Sequence, residues 1–472
     1  MKNYSLTIRE EHLGQLKNHL LRDGCEHAAY LMCSKALIRH DPWDRCAHTK
    51  YLVSKVIPVP DGEIVDSRPD MVTWRTVSFV RLLKEAAAHD QVMAIVHNHS
   101  ASVPWFSSQD DANEPDLVQL AVNRNGAGTN LISLLLAGDE QLAGRVWLHP
   151  KARAYERLRM IRVIGTRYSL HYPDRGGSAP IPALQRQALA FGNALNSDLR
   201  RLRVGVVGCG GTGSAVAMLL ARLGVGQLVL IDNDIVDQTN LNRLHGARQA
   251  DADAMRPKVE VIAREISEMG LGVKAVPIEA WVGDPGCRDA LRACDFIFGC
   301  TDDHEGRLFL NRFSYYYLIP VIDIGLSIEV GKEDSPSVKS LDARVTVLGP
   351  HHTCLSCRNV IDPEIARAEA MRRKDPAEYE LRKAESYVVG EGNPNPSVVT
   401  FTTELACMGA NELIHRLQGF RGPDGAVANR VRKFHLNEDR RPGHKPGPAC
   451  PVCSSENIWG KGDTEPFLGR ID

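Results

Sequence analysis

The stretch RVGVVGCGGTGSAV, residues 203–216, decides the architecture. RVGVV reads as a buried strand, the glycines turn the chain tightly, and SAVAMLLARLG continues as an apolar helix before QLVLID resumes a strand. Strand, glycine turn, helix, strand is the opening of a doubly wound parallel sheet. Such a turn aims backbone N–H groups and a helix N-terminus at phosphates. Two further strands, in DFIFGCTDD and PVIDIG, extend the pattern. The spacing Gly208-x-Gly210-Gly211-x-Gly213 would by itself serve a nicotinamide dehydrogenase equally well.

Four neighbouring features move the reading away from hydride transfer. IDNDIVDQTNLNR supplies Asp232, Asp234, Asn240 and Arg243 close together, with Asp232 at a strand end suited to a ribose hydroxyl. Lys258 follows in MRPKVE, and CTDD puts Asp302 where a magnesium ion could be held. Cations and a metal carboxylate around a phosphate turn suit a reaction that expels pyrophosphate, because charge builds on the phosphates. Cys354-x-x-Cys357 and Cys450-x-x-Cys453 form a two-plus-two thiolate set, the pattern of a closed structural zinc site. Four free thiols are the bland alternative. Cys209, Cys294 and Cys300 lie in or beside core strands and read as packing residues.

A second chemistry stands upstream, in VHNHSASVPWFSSQDD, residues 96–111. VMAIV runs as a strand into His97 and His99, and period-two geometry points both imidazoles to one face. Ser107-x-x-Asp110 then opens a helix. Two histidines and one carboxylate leave a tetrahedral zinc one free position, which is the catalytic arrangement. Glu26, just ahead of another strand in GCEHAAYLMC, is the acid best placed to take a proton from water. Each piece has a plain alternative: a surface histidine pair, and an ordinary capping box.

The 472 residues leave room for two or three domains, at about 150 residues each. A net charge of −1 argues against a nucleic-acid binder that relies on bulk positive charge, and no apolar run is long enough for a membrane span. MKNYSLTIREEHLGQL lacks a signal-peptide core, so the twelve cysteines read as reduced thiols and metal ligands of a cytoplasmic protein. The expected organisation is a mixed α/β domain over 1–165, a linker over 166–183 rich in Pro, Gly and Ser, and a larger α/β domain over 184–472. Residues 362–392 read as an exposed crossover, and the tail after 436 as polar apart from its cysteine pair.

Taken together, His-x-His, seven residues, Ser-x-x-Asp resembles the JAMM (JAB/MPN+) metalloproteases, which cleave ubiquitin-like proteins from their conjugates. The resemblance implies a catalytic zinc on His97, His99 and Asp110, Glu26 as general base and Ser107 as a donor to the oxyanion. Where that family usually has proline after the second histidine, this chain has Ser100. Residues 183–453 resemble the E1/ThiF/MoeB adenylating enzymes. That likeness implies ATP phosphates on Arg243 and Lys258, the ribose on Asp232 and magnesium on Asp302, with Asp234 and Asn240 lining the site. In LQRQALAFGNALNSDL, Arg186 would reach the ATP of a partner subunit, which implies a homodimer. The expected partners are a ubiquitin-like protein, through its C-terminal tail, and an E2-like protein. Bacterial ubiquitin-like conjugation systems, several tied to phage defence, combine these activities.

One departure is chemical. ESYVVGEGNPNPSVVTFTTELACMGANEL carries no cysteine in the crossover itself, and Cys407 falls within an apolar helix pattern. The enzyme then either stops at the adenylate or uses a hydroxyl such as Ser386 or Ser397 as acyl acceptor, which would need activation. Sulfur-carrier activation, and one half serving only as a binding platform, are the alternatives.

Overall fold

The computed structural model describes residues 3–467 apart from 100–104, 152–153, 175–180, 332–336, 385–395, 455 and 465–466. The glycine turn sits where expected. Arg203–Val207 is a fully buried strand followed by the helix Gly211–Arg222. Five parallel strands run in the order Lys274–Ile278, Gln227–Ile231, Arg203–Val207, Phe296–Gly299, Val321–Val330, with three antiparallel strands continuing the sheet through Val338–Leu348, Asn429–Lys433 and Glu438–Arg440. Strand order reverses between Arg203–Val207 and Phe296–Gly299, and a crevice opens there at the carboxyl ends.

The first half is a nine-stranded mixed sheet with Ala28–Ile38 and Val92–His99 near its centre. The helix Glu10–Leu20 buries Leu13, Leu16 and Leu20 against one face. On the other face the helix Val77–Ala88 contributes Phe79, Leu82 and Leu83 to a core shared with Val118 and Ala121 of Ser108–Asn125.

Among the described residues of 166–183, expected to form a linker, residues 169–171 belong to the sheet. Ser169–His171 pairs with Met160–Ile164, and the Tyr168 ring lies 4.9 Å from that of Phe296. The described part of that segment is therefore sheet and interface, while 175–180 lie outside the described residues. Between the halves lies a buried charged block around Asp295, whose carboxylate accepts the Arg203 N–H at 3.0 Å and lies within 3.8 Å of Lys50 and Arg162. Lys50 donates to the Cys294 carbonyl at 2.5 Å, and Arg203 pairs with Asp41 at 2.6 Å. Burial pushes the Lys50 ammonium down to about 7.

The tail is not merely polar. Phe467 is buried among Phe309, Phe313, Tyr316 and Tyr317. Asp463 accepts from the Leu37 N–H of the first half and from Arg292 and Tyr317 of the second, strapping the two together. Residues 363–384 form the helices Pro363–Lys374 and Pro376–Ala384, and they are docked rather than loose, since Ala366 and Tyr379 are buried. No described helix is long and apolar enough to cross a membrane.

Candidate functional site

The strand Val92–His99 ends in the two histidines, with Nε2 atoms 3.2 Å apart. Ser107 caps the helix Ser108–Asn125 through a reciprocal box with Asp110, which turns the Asp110 carboxylate toward them. Its two oxygens lie 3.3 Å from His97 Nε2 and 3.5 Å from His99 Nε2. Ligands about 2.0–2.2 Å from a tetrahedral zinc sit about 3.3–3.6 Å apart, so this trio stands close to the spacing the ion needs. Glu26 is buried, with its carboxylate 3.7 Å from His99 Nε2. Burial raises its pKa, against the pull of His97 and His99. Burial also penalises charge on Asp110, but hydrogen bonds from both histidines hold its carboxyl well below the usual range. Cap and ligand readings prove compatible: the capping box aims the ligand. The Ser107 hydroxyl donates to Asp110 at 2.8 Å here, so a role at an oxyanion requires it to turn.

The four cysteines also converge. Cys354 Sγ lies 3.8 Å from Cys450 Sγ, and Cys357 Sγ 3.7 Å from Cys453 Sγ. Thiolates about 2.3 Å from a tetrahedral zinc are about 3.8 Å apart, so this set fits zinc as well. Its effect is to clip the tail to the segment following Val338–Leu348. Cys209 and Cys294 are buried, while Cys300 and Cys407 are half-buried, and burial pushes each thiol upward.

The crevice is a cleft of about 410 Å³ lined by Gly208, Gly210 and Gly211, by Asp232 and Asp234, and by Arg243, Lys258 and Asp302. Gly208 has φ +84°, and a Cβ there would come within 2.6 Å of the Thr301 nitrogen, so only glycine suits the turn. Gly213 serves packing, since a Cβ would meet the Gly208 oxygen. Asp232 accepts the Cys209 N–H at 2.5 Å and the Asp234 N–H at 2.8 Å. Burial raises its pKa, although Lys258 draws it down. The cations are held by the protein itself: Lys258 on Asp234 at 2.7 Å, Arg243 on the Thr239 carbonyl at 2.5 Å.

One expected residue takes another position, and a second lies off its own chain's cleft, as its assignment to a partner subunit requires. Asn240 is buried and accepts the Asp237 N–H, capping a short turn rather than lining the cleft. Arg186, on Gln185–Arg201, is exposed and does not line the cleft of its own chain. Ser397 lines the cleft; Ser386 lies outside the described residues.

The sequence reading missed Trp281 and Arg307, both in the cleft wall. Trp281 donates to Asp303 at 3.3 Å, and the Arg373 guanidinium stacks 3.7 Å from its ring. Arg307 sits 3.7 Å from buried Asp323, which also holds Arg344 at 2.6 Å. A signal existed for Arg307: it falls one helical turn after CTDD, on the face Asp302 opens.

The ThiF family profile matches residues 184–455, more than half of the chain. This chain belongs to the ThiF family. It is 28% identical over 155 residues to the SAMP-activating enzyme E1 of Haloferax volcanii, covering 33% of this chain and 52% of that protein. It is 32% identical over 126 residues to the molybdopterin-synthase adenylyltransferase of Escherichia coli, covering 26% and 49%. It is 31% identical over 139 residues to the sulfur carrier protein ThiS adenylyltransferase of Escherichia coli, covering 29% and 55%. The chain thus spans about half the length of these relatives. Among solved structures, E. coli MccB with ATP is similar at 19% identity and TM-score 0.43, covering 59% of this chain and 76% of that one.

Proposed function

We propose that this chain activates the C-terminal carboxylate of a ubiquitin-like carrier protein as an acyl-adenylate and, at a zinc site in its first half, cleaves bonds made to that carboxylate. The observation that carries the activation reading is the cleft at the strand reversal, where the glycine turn faces Asp232, Arg243, Lys258 and Asp302. The carrier carboxylate attacks the α-phosphorus of ATP and pyrophosphate leaves. Lys258 and Arg243 exchange their protein partners for phosphate oxygens and offset the growing charge. Asp232 holds the ribose, and Asp302 would hold magnesium. Arg186, exposed on its own subunit, is assigned to the ATP of the partner in a homodimer.

The hydrolase reading is supported by His97, His99 and Asp110 at ligand spacing, with a buried acid beside them. Zinc bound there would polarise the scissile carbonyl and supply an acidified water. Glu26, buried beside His99, would take the proton from that water and pass it to the leaving group. Relatives that act on sulfur carriers favour a second reading, in which the carrier ends as a thiocarboxylate. The hydrolase cluster favours the first.

The test is carrier-dependent exchange of pyrophosphate into ATP, using a ubiquitin-like protein with a free C-terminal carboxylate. Lys258→Ala is expected to lower exchange about 100-fold or more. Exchange at the wild-type level in that variant would remove Lys258 from the reaction. No exchange in the wild type would remove the carrier.

A further inference from the structure

Between the two histidines lies Asn98, which the pleat of the strand turns to the opposite face from His97 and His99. It is 2% exposed. Its Oδ1 accepts the His27 N–H at 2.7 Å and its Nδ2 donates to the Cys25 carbonyl at 3.0 Å. One partner is only a donor and the other only an acceptor, so the orientation of the amide is fixed. These two groups flank Glu26 on either side in the chain. The ladder between Ala28–Ile38 and Val92–His99 begins with Ala28 opposite His97. Backbone pairing thus stops one step short of His27, and the Asn98 side chain continues it.

The Glu26 peptide itself is held from the other direction. Its N–H donates to the Arg68 carbonyl at 2.7 Å, and its carbonyl accepts from Ser67 Oγ at 2.8 Å. A carboxylate 3.7 Å from His99 must be placed to a few tenths of an ångström to serve a water in the same site. Asn98 ties the segment bearing that carboxylate to the strand bearing the two histidines, so base and ligands move together.

We propose that Asn98 is the positioning residue for Glu26, with Ser67 supporting it from the far side, an inference that rests on the hydrolase reading above. Asn98 is bonded to the backbone on either side of Glu26 and stands outside the His97, His99 and Asp110 cluster. Its loss should displace the base while leaving the ligand set intact.

The test uses the full-length, zinc-loaded protein and a ubiquitin-like carrier ending in a diglycyl aminocoumarin amide. Asn98→Ala is expected to lower kcat about 10- to 100-fold with KM within about twofold. Zinc content should match the wild type, and exchange of the His27 amide hydrogen should quicken about fivefold. Ser67→Ala, at the more open end of the bracket, should lower kcat in the same manner but less. It serves if Asn98→Ala fails to fold. Unchanged kcat and His27 exchange would overturn the proposal. So would loss of zinc alongside activity, because Asn98 would then support the ligands rather than the base. A wild-type protein that holds zinc at this site but cleaves nothing would overturn the hydrolase reading and this proposal together. A wild type that cleaves, with Asn98→Ala equally active, overturns this proposal alone.

Discussion

The two sites hold their charges in opposite ways. In the first, His97, His99 and Asp110 already stand close together at near-ligand spacing, held by a strand and a helix cap. In the second, the working cations are parked: Lys258 on Asp234 and Arg243 on a backbone carbonyl. A resident metal rewards a preformed ligand set, because any rearrangement is subtracted from its binding. A nucleotide that comes and goes is better served by cations that keep a partner between turnovers, since an unpaired charge in a cleft is costly.

One buried charged block joins the two halves, and the largest effect tests that. Asp295 is fully buried and offsets Lys50, Arg162 and Arg203 from both halves. Asp295→Asn leaves those cations without their shared counter-charge and should cost about 3–5 kcal/mol in chemical denaturation. Both activities should fall with the fold. A cost below about 1 kcal/mol, or loss of one activity only, would mean the halves stand independently.

A smaller effect belongs to the cleft side. Glu369, on Pro363–Lys374, accepts the Glu305 N–H at 2.8 Å beside Asp303, and burial raises its carboxyl to about 7. A carboxyl raised in the folded state contributes stability that is complete below about 4.5 and lost as pH climbs to about 7. Glu369→Gln keeps an acceptor and removes the titration. Its melting temperature should therefore decline less than that of the wild type between about pH 4.5 and pH 7.5. Equal slopes would exclude Glu369 as the source.

Legibility followed sequence separation. His97, His99, Ser107 and Asp110 fall within fourteen residues on a strand, a loop and a cap, and each has a local rule. The glycine turn and the paired cysteines are local in the same sense. The block joining Lys50, Arg162, Arg203 and Asp295 is not, since no local rule links residues up to 245 positions apart. The first residues of the expected linker show the same limit: Tyr168 packs on Phe296, a contact that no nearby residue announced. Trp281 was hidden because the Arg373 that stacks on its ring arrives from a crossover helix. Asn240 was assigned to the cleft from proximity in sequence, whereas its amide was needed to close a turn.

One chain carries two zinc-fitting clusters of different chemistry alongside the glycine-turn cleft. Zinc content per chain, measured in the wild type and in His97→Ala, tests it most directly. The account predicts two zinc ions falling to one, the survivor being the four-cysteine site. One zinc in both proteins would mean that the His97, His99 and Asp110 cluster holds no zinc, and the hydrolase half of the account would fall.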